Sequence, residues 1–132
     1  MGAWGEGNFE NDDAMDWVGD LEQYQGLSDL MKVLAPVATA GAAIYIEAPD
    51  CCRALAGAET VAAARGKPSQ DLPDGVHDWI SNHKGNLDPA LLDAAKKTVE
   101  RIKTSSELKE LWEEGDPESW QKVIASLELR LA

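Results

Sequence analysis

Apolar residues recur along the first part of the chain at the spacing of a helix face. Ala14, Trp17, Val18, Leu21 and Tyr24 stand three or four positions apart with charged or polar residues between them, the pattern of an amphipathic helix that buries one stripe. Asn11 supplies the start, because its side chain can accept from the first free amides, and Asp12 and Asp13 place negative charge at the positive end of the helix dipole. The pattern ends near Gly26. A second set, Leu30, Met31, Val33 and Leu34, follows Ser28 as its expected cap, and Pro36 should end or kink that helix at about Ala35. The segment Val37 to Ile46, "VATAGAAIYI", reads as further helix. Its last residues would suit a strand, but the chain holds no second β-rich run to pair with it.

Pro49 then opens "DCCRALAGAETVAAARG", alanine at most positions, with Gly66 at the expected stop. Small side chains let neighbouring helices approach closely, so this helix is expected at the crowded centre. After the loop "KPSQDLPDG", three more helices are predicted: Pro73 to Lys84 with Val76, Trp79 and Ile80 inward, Asp88 to Lys103 with a Leu91, Leu92, Ala95, Val99, Ile102 stripe, and Ser105 to Glu114. The last helix starts at Asp116-Pro117 and carries Trp120, Val123, Ile124, Leu127 and Leu131. The expected architecture is all-α: one domain over residues 1–132, six or seven helices joined by short turns, with residues 1–10 as an N-terminal arm packed on it.

That arm, "MGAWGEGNFE", invites a phosphate-loop reading, which the residues reject. A nucleotide-binding glycine loop follows a buried strand and leads into a helix whose free amides face phosphate. Here no strand precedes Gly2, no Lys follows Gly7, and Glu10, Asp12 and Asp13 crowd the helix start. Trp4 and Phe9 instead suit an arm anchored on the helices, since each ring can bury roughly 150–250 Å². Trp4, Phe9, Asn11 and Trp17 are therefore read as structural.

Charge changes the picture more than overall composition does. The 132 residues hold 24 acidic and 12 basic side chains for a net −12, and no Lys or Arg precedes Lys32. Nucleic acid and anionic lipid surfaces should be repelled, whereas a basic protein surface would be attracted. The longest uncharged run, Val33 to Ile46, is broken by Pro36 and Gly41 and falls short of the roughly 18–20 apolar residues that a membrane span needs. With no secretory signal visible and only the adjacent Cys51 and Cys52, the expected location is the cytoplasm.

Candidate chemistry is sparse. Glu47 follows Ile44-Tyr45-Ile46 and Glu59 lies among alanines, so either could be a desolvated acid or base. Alternatively each caps a helix or pairs with Arg53, Arg65 or an indole N–H. Asp12, Asp13, Asp16 and Asp20 lack the turn glycine of a calcium loop and read as a solvated face. His77 and His83 stand six apart, a spacing that does not suit a zinc site. No catalytic nucleophile, metal set or cofactor motif is indicated, and Cys51-Cys52 reads as buried and structural. Trp112, beside Glu113 and Glu114, is the tryptophan most suited to be a surface hot spot.

The opening "MGAWGEGNFENDDAMDWVGDL", the segment "YIEAPDCCRALAGAETVAAARG" and "SSELKELWEE" together resemble the bacterial domain of unknown function 4259 family over nearly the whole chain. The resemblance places that family's pattern on Trp4, Gly5, Phe9, Asn11, Asp12, Ala14, Asp16, Trp17, Glu47, Glu59, Ser106, Glu107, Leu108 and Trp112. Ala-Gly-Ala stands before Glu59 where the family more usually has a run of alanines. It implies no activity. Two functions remain open: a non-catalytic protein-binding or inhibitory module of the immunity type with a basic partner, bearing Glu47, Glu59, Trp112 and Glu113 as binding residues, or a small helical enzyme using Glu47 or Glu59 in an inter-helix pocket.

Overall fold

The computed structural model describes residues 5–132. Along them run α1 (Asp12–Leu21), a 3-10 turn (Leu27–Leu30) leading straight into α2 (Met31–Ala38), α3 (Ala48–Ala64), α4 (Asp74–Asn82), α5 (Pro89–Thr104), α6 (Glu107–Glu113) and α7 (Pro117–Leu131). No strand occurs among the described residues, so the all-α architecture holds.

Helix starts follow local chemistry. Asn11 Oδ1 accepts from the Ala14 amide at 2.8 Å, Asp88 from Ala90 at 2.9 Å, Ser106 Oγ from Lys109 at 3.2 Å and Asp116 from Ser119 at 3.3 Å. Each satisfies a backbone donor that a helix leaves free at its first turn. At the other end of α3, Gly66 adopts φ 85°, a left-handed backbone that a side chain would disfavour.

α3 is the axis of the molecule. It is buried from Ala54 through Ala62 and packs on α1, α2, α4, α5, α6 and α7. Alanine and glycine make this possible by keeping its surface shallow. A Cβ placed on Gly57 would collide with Val33 Cγ1, so any larger residue there would force the Val33 side chain of α2 to shift. Around this axis the predicted stripes face inward: Ala14, Trp17, Val18 and Leu21 from α1, Val76 and Trp79 from α4, Leu91, Ala95, Val99 and Ile102 from α5, and Trp120, Ile124, Leu127 and Leu131 from α7.

Three local expectations are corrected. Ser28 does not cap a helix but sits inside the 3-10 turn; Asp29 holds the entry instead, accepting from the Gln25 amide at 2.8 Å, which keeps its carboxyl below the usual carboxylate range. Pro36 lies inside α2, which runs on to Ala38. The proline forfeits one bond to the Lys32 carbonyl, on an exposed residue, while the two further residues of helix bury Val37 against the core. Finally, residues 39–47 form a loop rather than a helix. Ala40, Gly41, Ala42 and Ala43 offer no apolar stripe for a helix to bury, and the carbonyls of Ala40, Gly41 and Ile44 are taken by the guanidinium of Arg101 on α5.

The arm packs as expected where it is described. Asn8 and Phe9 are buried, and Phe9 belongs to the core. Trp4, the other expected anchor, lies outside the described residues.

Candidate functional site

Of the 24 acidic side chains, Glu59 alone is buried, at 2% exposure. Its position near the middle of α3, among alanines, strips it of water, and the fold supplies partners from both ends of the chain. Arg130 near the end of α7 forks onto it, with Nη1 to Oε1 at 2.6 Å and Nη2 to Oε2 at 3.0 Å, and the Asn8 amide of the arm donates to Oε2 at 2.8 Å. Arg130 is itself fixed, its Nε donating to Ser126 Oγ at 3.2 Å. Glu59 therefore pairs as one sequence reading expects, but with Arg130 and not with Arg53 or Arg65. Arg53 binds Asp50 and Asp13, and Arg65 donates to the carbonyls of Arg130 and Ala132. This two-pronged, charge-assisted pair and the Asn8 amide together occupy three of the carboxylate's roughly four acceptor positions.

Next to this pair lies an open cleft of about 600 Å³ between the arm, the loop after α3 and α7, lined by Glu6, Glu10, Asp71, Lys122 and Arg130 among others. Glu10 curls back under the arm and accepts from the Gly7 amide at 3.1 Å. Its carboxylate fills the space that a side chain on Gly5 or Gly7 would need. The arm is thus tied down by polar contacts as well as by Phe9.

Glu47 is placed elsewhere. It immediately precedes α3 with its side chain exposed and makes no side-chain capping bond. The capping is done by Glu107, whose Oε1 accepts from the Ala48 amide at 2.7 Å, while the Glu107 amide donates to the Ile46 carbonyl at 3.0 Å. This reciprocal clasp joins the starts of α3 and α6. In the same neighbourhood the Tyr45 hydroxyl donates to Glu110 Oε2 at 2.6 Å, and that carboxylate pushes the phenol up to about 12. Ile44 and Tyr45 stand 56% and 57% exposed.

Trp112 is half buried and packs against the core, lining a small crevice with Gly5, Asn8, Leu108 and Trp120, while Glu113 is exposed and held by Lys109 at 2.8 Å. The four sequence candidates thus fall into three places: Glu59 under the arm, Glu47 at the loop, and Trp112 with Glu113 on α6. The periodicity of the chain did not reveal Arg130, Asn8, Arg101 or Tyr45. Only for Arg130 was there a signal, namely that a carboxylate among alanines demands a cation.

His83 stacks on Trp79 with centroids 4.4 Å apart, and its Nδ1 lies 2.7 Å from the Trp79 carbonyl. Asp12, Asp16 and Asp20 are exposed, and no group of three His, Cys, Asp or Glu able to hold a metal occurs among the described residues. No helix among the described residues is long and apolar enough to cross a membrane.

Cys51 and Cys52 are free and buried, and burial raises the first thiol to about 11 and the second to about 12. Both should be inert to a disulfide reagent near pH 8 and react only as fast as the protein opens. Because the folded values lie above the ordinary 9.0, the neutral thiols contribute stability that is intact below that pH and is lost as pH rises toward 11–12. The melting midpoint should fall across that window, and fall less in a Cys51→Ala/Cys52→Ala variant. Labelling faster than unfolding would contradict the assignment.

The sequence profile of a family described as Domain of unknown function (DUF4259) matches residues 2–123 of the chain. No curated protein and no solved structure matches it.

Proposed function

The chain belongs to the DUF4259 family, and from that premise we propose that it is a non-catalytic, acidic protein-binding module that covers a basic surface of its partner, acting as an inhibitor of the immunity type. The observation that carries this reading is where the charge resides. Of 24 acidic groups all but Glu59 lie at least partly in solvent, against 12 basic ones, so the full excess of negative charge is presented outward. Such a surface draws in a cationic partner and speeds encounter.

The alternative, an enzyme built on Glu47 or Glu59, has less support. Glu59 is held by Arg130 and Asn8, and Glu47 is exposed in solvent.

The test is affinity capture by the immobilised full chain from cells that encode it, at about 50 mM and about 500 mM salt, with retained proteins identified by mass spectrometry. A basic protein that binds at low salt, is displaced at high salt and forms a defined complex when purified is the expected result, because screening shortens the reach of surface charges from roughly 14 Å to about 4 Å. Retention of only acidic or salt-indifferent proteins would refute the reading.

A further inference from the structure

The loop of residues 39–47 exposes more apolar surface than its own fold needs. Ile44 and Tyr45 stand 56% and 57% exposed and line a groove of about 270 Å³ whose walls also include Val33, Pro36 and the charged Lys32, Asp50 and Arg53. Surface loops are ordinarily more mobile than the elements they connect. This one is held firmly. Arg101 binds the carbonyls of Ala40, Gly41 and Ile44, the buried Ile46 anchors the far side, and the clasp of Glu107 fixes Ile46 and Ala48. A display surface ordered before contact loses little conformational entropy on binding.

The surrounding charge says what could cover it. Glu47, Glu107 and Glu110 border the pair, and none is in an ion pair among the described residues. The nearby cations Lys32, Arg53 and Lys109 are paired with Asp29, with Asp50 and Asp13, and with Glu113, whereas Arg101 binds only the loop's neutral carbonyls and keeps its charge, so three carboxylates stand against one unpaired cation. Covering Tyr45 also desolvates the Glu110 carboxylate bonded to its hydroxyl, and a buried carboxylate requires an opposing cation. A second copy of this chain would bring like charges together at that point.

Resting on the reading of the chain as a binder of a basic protein, we propose that this loop is the contact itself. Ile44 and Tyr45 enter an apolar socket on the partner, and Lys or Arg side chains rimming that socket meet Glu47, Glu107 and Glu110.

The probe is the basic protein recovered in the salt-dependent capture, titrated calorimetrically against the full chain and three variants. Ile44→Ala/Tyr45→Ala should weaken binding at least about tenfold with an unchanged melting midpoint, as expected for central interface anchors. Glu110→Gln should weaken it mainly at low salt, and Leu129→Ala, an exposed apolar residue on α7, should leave it unchanged. Hydrogen exchange of residues 39–47 should slow in the complex. If the double variant binds as the parent does, the loop assignment fails while the binding function stands. If no basic protein is captured in a salt-dependent way, both fail. A dimer of this chain that dissociates in the double variant would equally overturn the assignment.

Discussion

Replacing Arg130 with methionine is expected to lower the unfolding free energy by about 3–5 kcal/mol, because it strands a buried carboxylate. Methionine preserves much of the aliphatic stem, so the loss reports the charge rather than packing. What remains near Glu59 is the Asn8 amide at 2.8 Å, too little for an ionised group at 2% exposure. Adding Glu59→Gln to Arg130→Met should restore most of the loss, since the glutamine oxygen still accepts from Asn8 and no charge is left uncompensated. Urea denaturation of the two variants decides the matter. A single variant within about 1 kcal/mol of the parent, or a double variant no better than the single, would mean that the pair is not the support described above.

Trp17→Ala should cost a similar amount, about 3–5 kcal/mol, through the cavity it leaves. The indole is 2% exposed between α1 and the core, meets Tyr24 edge-on with ring centroids 6.0 Å apart, and donates Nε1–H to the Tyr24 hydroxyl at 3.3 Å. Tyr24 in turn offers its backbone carbonyl to Trp79 Nε1 at 3.1 Å, so the ring supports the residue that ties the end of α1 to α4. For a chain of this size the loss corresponds to a melting midpoint lower by roughly 10–20 °C. Trp17→Phe should lose less than half as much, because the phenyl ring keeps most of the contact and forfeits only the N–H bond. Equal melting of parent and alanine variant would show that the ring is not interior.

Where a structural cue is local, it could be read from the sequence. Asn11, Asp88 and Asp116 announce their helices because a cap bonds an amide two or three residues away, and the stripes on α1, α5 and α7 follow from helical period. Pro36 misled because the cost of one lost hydrogen bond is local whereas the gain from burying Val37 is tertiary. Residues 39–47 misled for the same reason, since the guanidinium that replaces helical bonding comes from Arg101, about sixty positions away. Candidate sites were legible to the same extent. That Glu59 needs a partner could be inferred from its alanine neighbours; that the partner is Arg130 depends on how α7 closes over α3. The exposure of Ile44 and Tyr45 is not legible in the sequence, because the run Val37 to Ile46 suits a helix that would bury part of it.

The position of α3 has a consequence for how the molecule can come apart. Every other α-helix rests on it, even though α2 and α5 also pack directly on each other, so loosening residues 48–64 withdraws a contact from every helix at once. Melting should then be a single all-or-none event whose calorimetric and van't Hoff enthalpies agree.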